Sequence, residues 1–134
     1  MHIAHIGLVG YGEVGKIFSA SLRGQGGVET VAAWDLKFAD PQVRDAQRQH
    51  AAAAGVAATD SLRELCGRSD LVISAVTASS TLAVVKEAAP HLRAGTVFLD
   101  LNSASPGTKQ QAAALVDARG AHYVEAGVMT SVPP

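Results

Sequence analysis

The sequence predicts an α/β fold, a doubly wound parallel sheet with helices on both faces. Three observations carry that expectation. Short apolar runs of strand length alternate with segments of helical periodicity along the whole chain. The run from Leu71 to Val76 is continuously apolar, as a strand covered on both faces should be. The apolar content is mostly Ala, Val and Leu, with only 4% aromatic residues, which suits closely packed helices and strands.

The elements follow in order. Ile3 to Val9 reads as a buried strand, and a helix is expected from about Glu13 to Arg23 with Val14, Ile17, Phe18 and Leu22 on one face. Gly24 suits the C-cap. Glu29 to Trp34 is the second expected strand. Asp40 and Pro41 have the order of a cap and a first-turn proline, so a helix is expected from there through the alanine stretch to Gly55. Val56 to Ala58 is a candidate short strand. Ser61 and Glu64 have the spacing of a capping box, opening a helix that stops at Gly67. Leu71 to Val76 is the fourth strand, followed by a helix from about Ser80 to Ala89 that ends at Pro90. Thr96 to Leu101 is the fifth strand. Ser105 and Pro106 repeat the cap-and-proline signal for a helix ending near Arg119 and Gly120, and His122 to Ala126 is the last strand. Parallel strands joined this way require right-handed crossovers.

At 134 residues, 48% hydrophobic and 17% charged, the chain is sized for one domain, 1–134, with a substantial core. A net charge of −1 offers no electrostatic footprint for nucleic acid or an anionic membrane surface. The apolar N-terminus lacks a basic leader and a cleavage site, and no uncharged run is long enough to span a bilayer. The single cysteine, Cys66, is read as a small buried hydrophobe, and its solitude fits a cytoplasmic setting.

Gly10-Tyr11-Gly12-Glu13-Val14-Gly15 spells G-x-G-x-x-G between a strand and a helix. In that context the pattern is a dinucleotide fingerprint. Gly10 permits the tight turn, Gly12 lets the backbone approach a pyrophosphate, and Gly15 lets helix and strand pack closely. The anion would sit on free N–H groups at the positive end of the helix. Gly7, inside the strand, is assigned to packing. Asp35 stands 20 residues after Gly15, at the end of "TVAAW", where an acid accepts hydrogen bonds from the adenosine ribose. It favours NAD over NADP, although Lys37 leaves NADP possible. The expected fold is therefore of the Rossmann type.

With these residues in place, the chain resembles the N-terminal NAD(P)-binding domain of the β-hydroxyacid dehydrogenase and 6-phosphogluconate dehydrogenase-like family. The resemblance rests on "IGLVGYGEVG", "DLVISAV", "DLNSASP" and "YVEAGVM". It implies cofactor contacts at Val76, Thr77, Thr81 and Ser103, and a substrate-side position for Asn102 and Ser103. It also implies a small hydroxy-acid substrate and hydride transfer to or from the nicotinamide. Asn102 stands where the family has Ser, Glu125 where it has Asp, and Met129-Thr130-Ser131 where it reads Ser-Gly-Gly. The family's general acid/base lysine and its asparagine lie on a helix beyond this segment, in a C-terminal helical domain that completes a homodimer. Lys16, Lys37, Lys86 and Lys109 do not match that lysine, so no catalytic residue is assigned in this chain.

Other readings carry less. The histidines show no metal-ligand spacing. Trp34 flanks Asp35, and half-buried packing is favoured for it over contact with an adenine. Ser105 is read as a helix cap, and Asp100 as ordering its own turn. Two other classes compete: a dinucleotide-sensing regulatory module without catalysis, and an S-adenosylmethionine-dependent methyltransferase. "DLNSASP" and "EAGVM" argue against the first, and the helix-opening glycine spacing argues against the second.

Overall fold

The computed structural model describes residues 3–11, 16–17, 20–22, 25–38, 40–76, 80–101 and 105–125. Six parallel strands form one sheet: β1 His5–Val9, β2 Thr30–Trp34, β3 Ala57–Ala58, β4 Leu71–Ser74, β5 Val97–Asp100 and β6 His122–Glu125. Their order is β3-β2-β1-β4-β5-β6. The connection direction therefore reverses between β1 and β4, the point at which doubly wound sheets open a crevice at their carboxyl ends.

Four described helices connect the strands: α1 Arg44–Ala53, α2 Leu62–Arg68, α3 Thr81–Ala88 and α4 Pro106–Asp117. Residues 16–17 and 20–22 are also helical. Alternate residues of each strand enter two separate cores. One contains Ile6, Leu8, Val31, Ala33 and Ile73, with Ala51 of α1. The other contains Val9, Ala32, Val72 and Phe98, with Leu65 and Cys66 of α2, Val85 of α3 and Val116 of α4. Helices thus cover both faces, which is why the strands can be apolar throughout. Cys66 is a buried free thiol, its pKa pushed up to about 12 by burial.

Close approach explains Gly7. A Cβ there would overlap Ser69 Oγ and stand 2.9 Å from Leu65 Cδ2, so α2 lies nearly against the β1 backbone. At the opposite end of the strands from the crevice, Asp70 Oδ2 accepts the N–H groups of Ala4 and His5, each at 3.0 Å, while Arg93 donates to Oδ1 at 3.1 Å. These contacts join the start of β4 to the start of β1. They also hold the Asp70 carboxyl below its ordinary value, the His5 and Ala4 amides contributing most.

Several local expectations need correction. The Asp40–Pro41 signal opens a turn rather than a helix, and α1 begins at Arg44 with Val43 in the cap position. Asp40 Oδ1 accepts the Gln42 N–H at 2.9 Å, so its side chain orders this turn instead. The capping box is half formed. Ser61 Oγ accepts the Glu64 N–H at 3.1 Å, but Glu64 Oε1 accepts the N–H of Asp60 rather than that of Ser61. Pro90 does not stop the fourth helical segment abruptly, because a 3-10 turn, Ala89–His91, continues it. Ile17 is 64% exposed, whereas Leu22 packs against the core. Five residues separate them, about 140° around a helix, so they do not share one face.

Candidate functional site

The site grows out of the first β–α turn. Gly10 has φ +104°, and a Cβ there would overlap the carbonyl oxygen of Ala75, the residue after β4. Glycine is therefore required at the crossing of the two central βα connections. The Gly10 N–H donates to Trp34 O at 2.8 Å, and the Ala75 N–H to Val9 O at 2.9 Å. The carboxyl ends of β1, β2 and β4 are thus stitched together at the switch point.

Asp35 stands just past β2 and holds two backbone segments. Its Oδ2 accepts the Tyr11 N–H at 2.7 Å, and its Oδ1 accepts the Lys37 N–H at 2.9 Å. The carboxylate is oriented by the glycine turn on one side and by the following 3-10 turn, Leu36–Phe38, on the other. A hydrogen-bonded carboxylate keeps unused lone pairs, so it can still accept from a ligand hydroxyl.

Beside Asp35 lies a cleft of about 460 Å³, within the range typical of small-molecule sites. Gly10 lines it from the end of β1, Trp34, Asp35 and Leu36 from the end of β2, and Ala75 and Val76 from the end of β4. Ser80, Ala83, Val84 and Glu87 line it from α3 and the residue before it. Leu36 is 75% exposed, and the cleft gives that exposure a use. No Lys, Arg or His is among the described lining residues. Backbone turn, oriented carboxylate and apolar walls together fit the adenosine half of a dinucleotide.

The sequence-assigned residues divide sharply. Gly10, Asp35 and Val76 meet in the cleft. Tyr11 reaches the site through its backbone N–H, which Asp35 accepts. Its ring is fully buried against Phe38 and His50, and its hydroxyl pairs with His50 Nδ1 at 2.7 Å. Thr81 is also fully buried and does not line the cleft; its neighbour Ser80 does. The physical reason is the helical period. Thr81, Val85 and Ala88 form the buried stripe of α3, while Ser80, Ala83, Val84 and Glu87 form the adjacent one. Gly12, Glu13, Val14, Gly15, Thr77, Asn102 and Ser103 lie outside the described residues, as does the Met129-Thr130-Ser131 segment.

Residue-level reading missed Leu36, Ala83, Val84 and Glu87. The i, i+3, i+4, i+7 spacing on α3 was visible, but periodicity alone cannot say which of two adjacent stripes is core. Trp34 is half-buried against the core, as favoured for it, and it also lines the cleft. Ser105 Oγ accepts the Thr108 N–H at 3.2 Å and caps α4, as expected. Ser80 occupies the cap position of α3 but makes no capping hydrogen bond.

A second polar group occupies the carboxyl ends of β5 and β6. Asp100 is fully buried and accepts the Tyr123 hydroxyl at 2.5 Å, which ties it to the neighbouring strand. Burial, then this carboxylate, raises the Tyr123 pKa. Lys109, only 6% exposed, donates to Glu125 Oε1 at 3.1 Å beside a cavity of about 360 Å³. No helix among the described residues is long and apolar enough to cross a membrane.

The sheet order, the glycine turn and the oriented acid define an NAD(P)-binding Rossmann domain. Residues 5–132 match the family model for the NAD binding domain of 6-phosphogluconate dehydrogenase, and the chain belongs to that family. A conserved hypothetical protein from Sinorhizobium meliloti 1021 is 38% identical, with a TM-score of 0.87 over 100% of this chain and 44% of its own. The conserved protein MTH1747, described as structurally similar to 3-hydroxyacid dehydrogenases, is 30% identical with a TM-score of 0.74 over 96% of this chain and 45% of its own. The Mycobacterium tuberculosis 3-hydroxyisobutyrate dehydrogenase, solved with L-serine, is 25% identical with a TM-score of 0.79 over 93% of this chain and 40% of its own. The chain spans less than half the length of these solved relatives. No curated protein matches it. The dehydrogenase family model and the likeness to 3-hydroxyisobutyrate dehydrogenase are oxidoreductase matches and lend no support to the sensor reading.

Proposed function

We propose that this domain holds NAD, in preference to NADP, for an oxidoreductase that acts on a small hydroxy acid. The observation that carries the cofactor choice is Asp35. Two backbone N–H groups hold its carboxylate at the rim of a cleft that no described cation lines. A ribose 2′-hydroxyl would donate to that carboxylate, whereas a 2′-phosphate would be repelled by it. The likeness to 3-hydroxyisobutyrate dehydrogenase supports the substrate class.

Bound nicotinamide dinucleotide would supply hydride exchange with the substrate carbon. The work of this chain is positional. Gly10 opens the turn, Asp35 orients the ribose, and Trp34, Leu36, Ala83 and Val84 exclude water from the base. The proton-transfer lysine belongs, by the resemblance, to a helical domain that completes a homodimeric enzyme. Among the lysines here, Lys109 is committed to Glu125 and Lys16 stands 5.6 Å from the Tyr11 ring centroid.

The test uses Trp34, the chain's single tryptophan, as reporter. Its emission is followed during titration with NADH and NADPH. Saturable binding with NADH preferred, and a preference that narrows in Asp35→Ser, is the expected outcome. Equal affinity for both cofactors in the parent chain would remove the role given to Asp35.

A further inference from the structure

The cleft has a second carboxylate besides Asp35, one that neither the fingerprint nor the family resemblance assigns. Glu87 lines it from α3, on the same stripe as Ser80, Ala83 and Val84. Seven residues separate Ser80 from Glu87, so the carboxylate stands two helical turns, about 10 Å, along the wall. That is comparable to the reach of an adenosine extended from the pyrophosphate end. Among the described residues Glu87 has neither an ion-pair nor a hydrogen-bond partner. The lining is otherwise largely apolar, with Trp34 and Leu36 from the end of β2 and Ala83 and Val84 from α3.

An aromatic base slides between such walls by its faces and needs polar partners only at its edge. An ionised carboxylate can only accept hydrogen bonds. The geometry points to Glu87 as the residue that reads the base: it accepts from the exocyclic amino group of adenine and so selects adenine over a 6-oxo purine. A hypoxanthine ring would turn a carbonyl oxygen toward the same carboxylate, and two acceptors would face each other. This inference rests on the dinucleotide reading of the cleft. It extends that reading from the ribose, where Asp35 acts, to the base.

The experiment is a Trp34 fluorescence titration of the chain with ADP-ribose and with its hypoxanthine counterpart, inosine diphosphate ribose, repeated with NADH. The parent is expected to prefer ADP-ribose by about tenfold, the size of a hydrogen bond to a charged group at a partly exposed site. In Glu87→Gln the side-chain amide can accept from the amine or donate to the 6-oxo group, so the preference should fall to about twofold or less. Glu87→Ala should lose affinity for ADP-ribose and raise that for inosine diphosphate ribose, because the facing acceptor is gone. Glu87 is exposed, and unchanged thermal unfolding of the variants would show that the fold is intact. If NADH and both ribosides bind with no preference, or the preference survives in Glu87→Gln, the role of Glu87 is overturned while the dinucleotide reading stands. If no nucleotide binds, both fail.

Discussion

At the scale of single residues, Gly10 and Asp35 each do two jobs. Gly10 combines a left-handed φ with contact against the Ala75 carbonyl, so Gly10→Ala must both strain the backbone and push two βα connections apart. A loss of about 2 kcal/mol or more is expected in urea unfolding, well beyond a typical surface change. Asp35 is a clip between the glycine turn and the turn after β2, and in the proposed function it is also the ribose acceptor. Its removal should lower cofactor affinity and loosen the turn. Asp70 carries a pH dependence. Its folded pKa is depressed, so its contribution to stability is present above its ordinary value of 3.8 and is lost as pH falls through the lower folded value. Asp70→Asn should therefore unfold at lower urea than the parent at pH 7, and the difference should shrink as pH falls below about 4.

At the scale of elements, the instructive case is the junction of α4 with β6. Lys109 is nearly buried, and its ion-pair partner among the described residues, Glu125, is 55% exposed at the side chain. The two ends of the pair are therefore not equivalent. Lys109→Met keeps the packed stem and removes the charge, and it should cost less than about 1 kcal/mol. Glu125→Ala leaves an ammonium buried without that partner, and it should cost about 2 kcal/mol by the same measurement. Much of this level was legible in advance. The Ser105–Pro106 signal opens its helix as expected because cap, proline and hydrogen bond are all local. The Asp40–Pro41 signal looked the same and misled, because Asp40 used its side chain on the Gln42 amide and delayed the helix to Arg44. Local sequence offers both outcomes, and the surrounding structure chooses between them.

For the whole molecule, the reversal of strand order between β1 and β4 brings together groups that are far apart in the chain: Gly10, Asp35, Val76 and Glu87. A ligand that spans them must stabilise the whole fold, because it binds the folded chain and not the unfolded one. At a hundred times its dissociation constant, NADH is expected to add about 2.7 kcal/mol, seen as a rise in unfolding temperature. An equal rise in Asp35→Ala would show that the stabilising contact lies elsewhere.

The sequence by itself determined the class of fold, the place of the glycine turn and the acid that follows it. Those features rest on hydrophobic period, backbone conformation and local spacing, all of which are written in neighbouring residues. Only the tertiary structure decided which stripe of α3 faces the core and which faces the cleft, so that Thr81 gives way to Ser80, Ala83, Val84 and Glu87. It also turned the Tyr11 ring inward to His50 and tied Asp100 to Tyr123. These choices depend on how helices dock on a twisted sheet, and residues 39 or 23 positions apart in the chain set them. No local pattern records such distances.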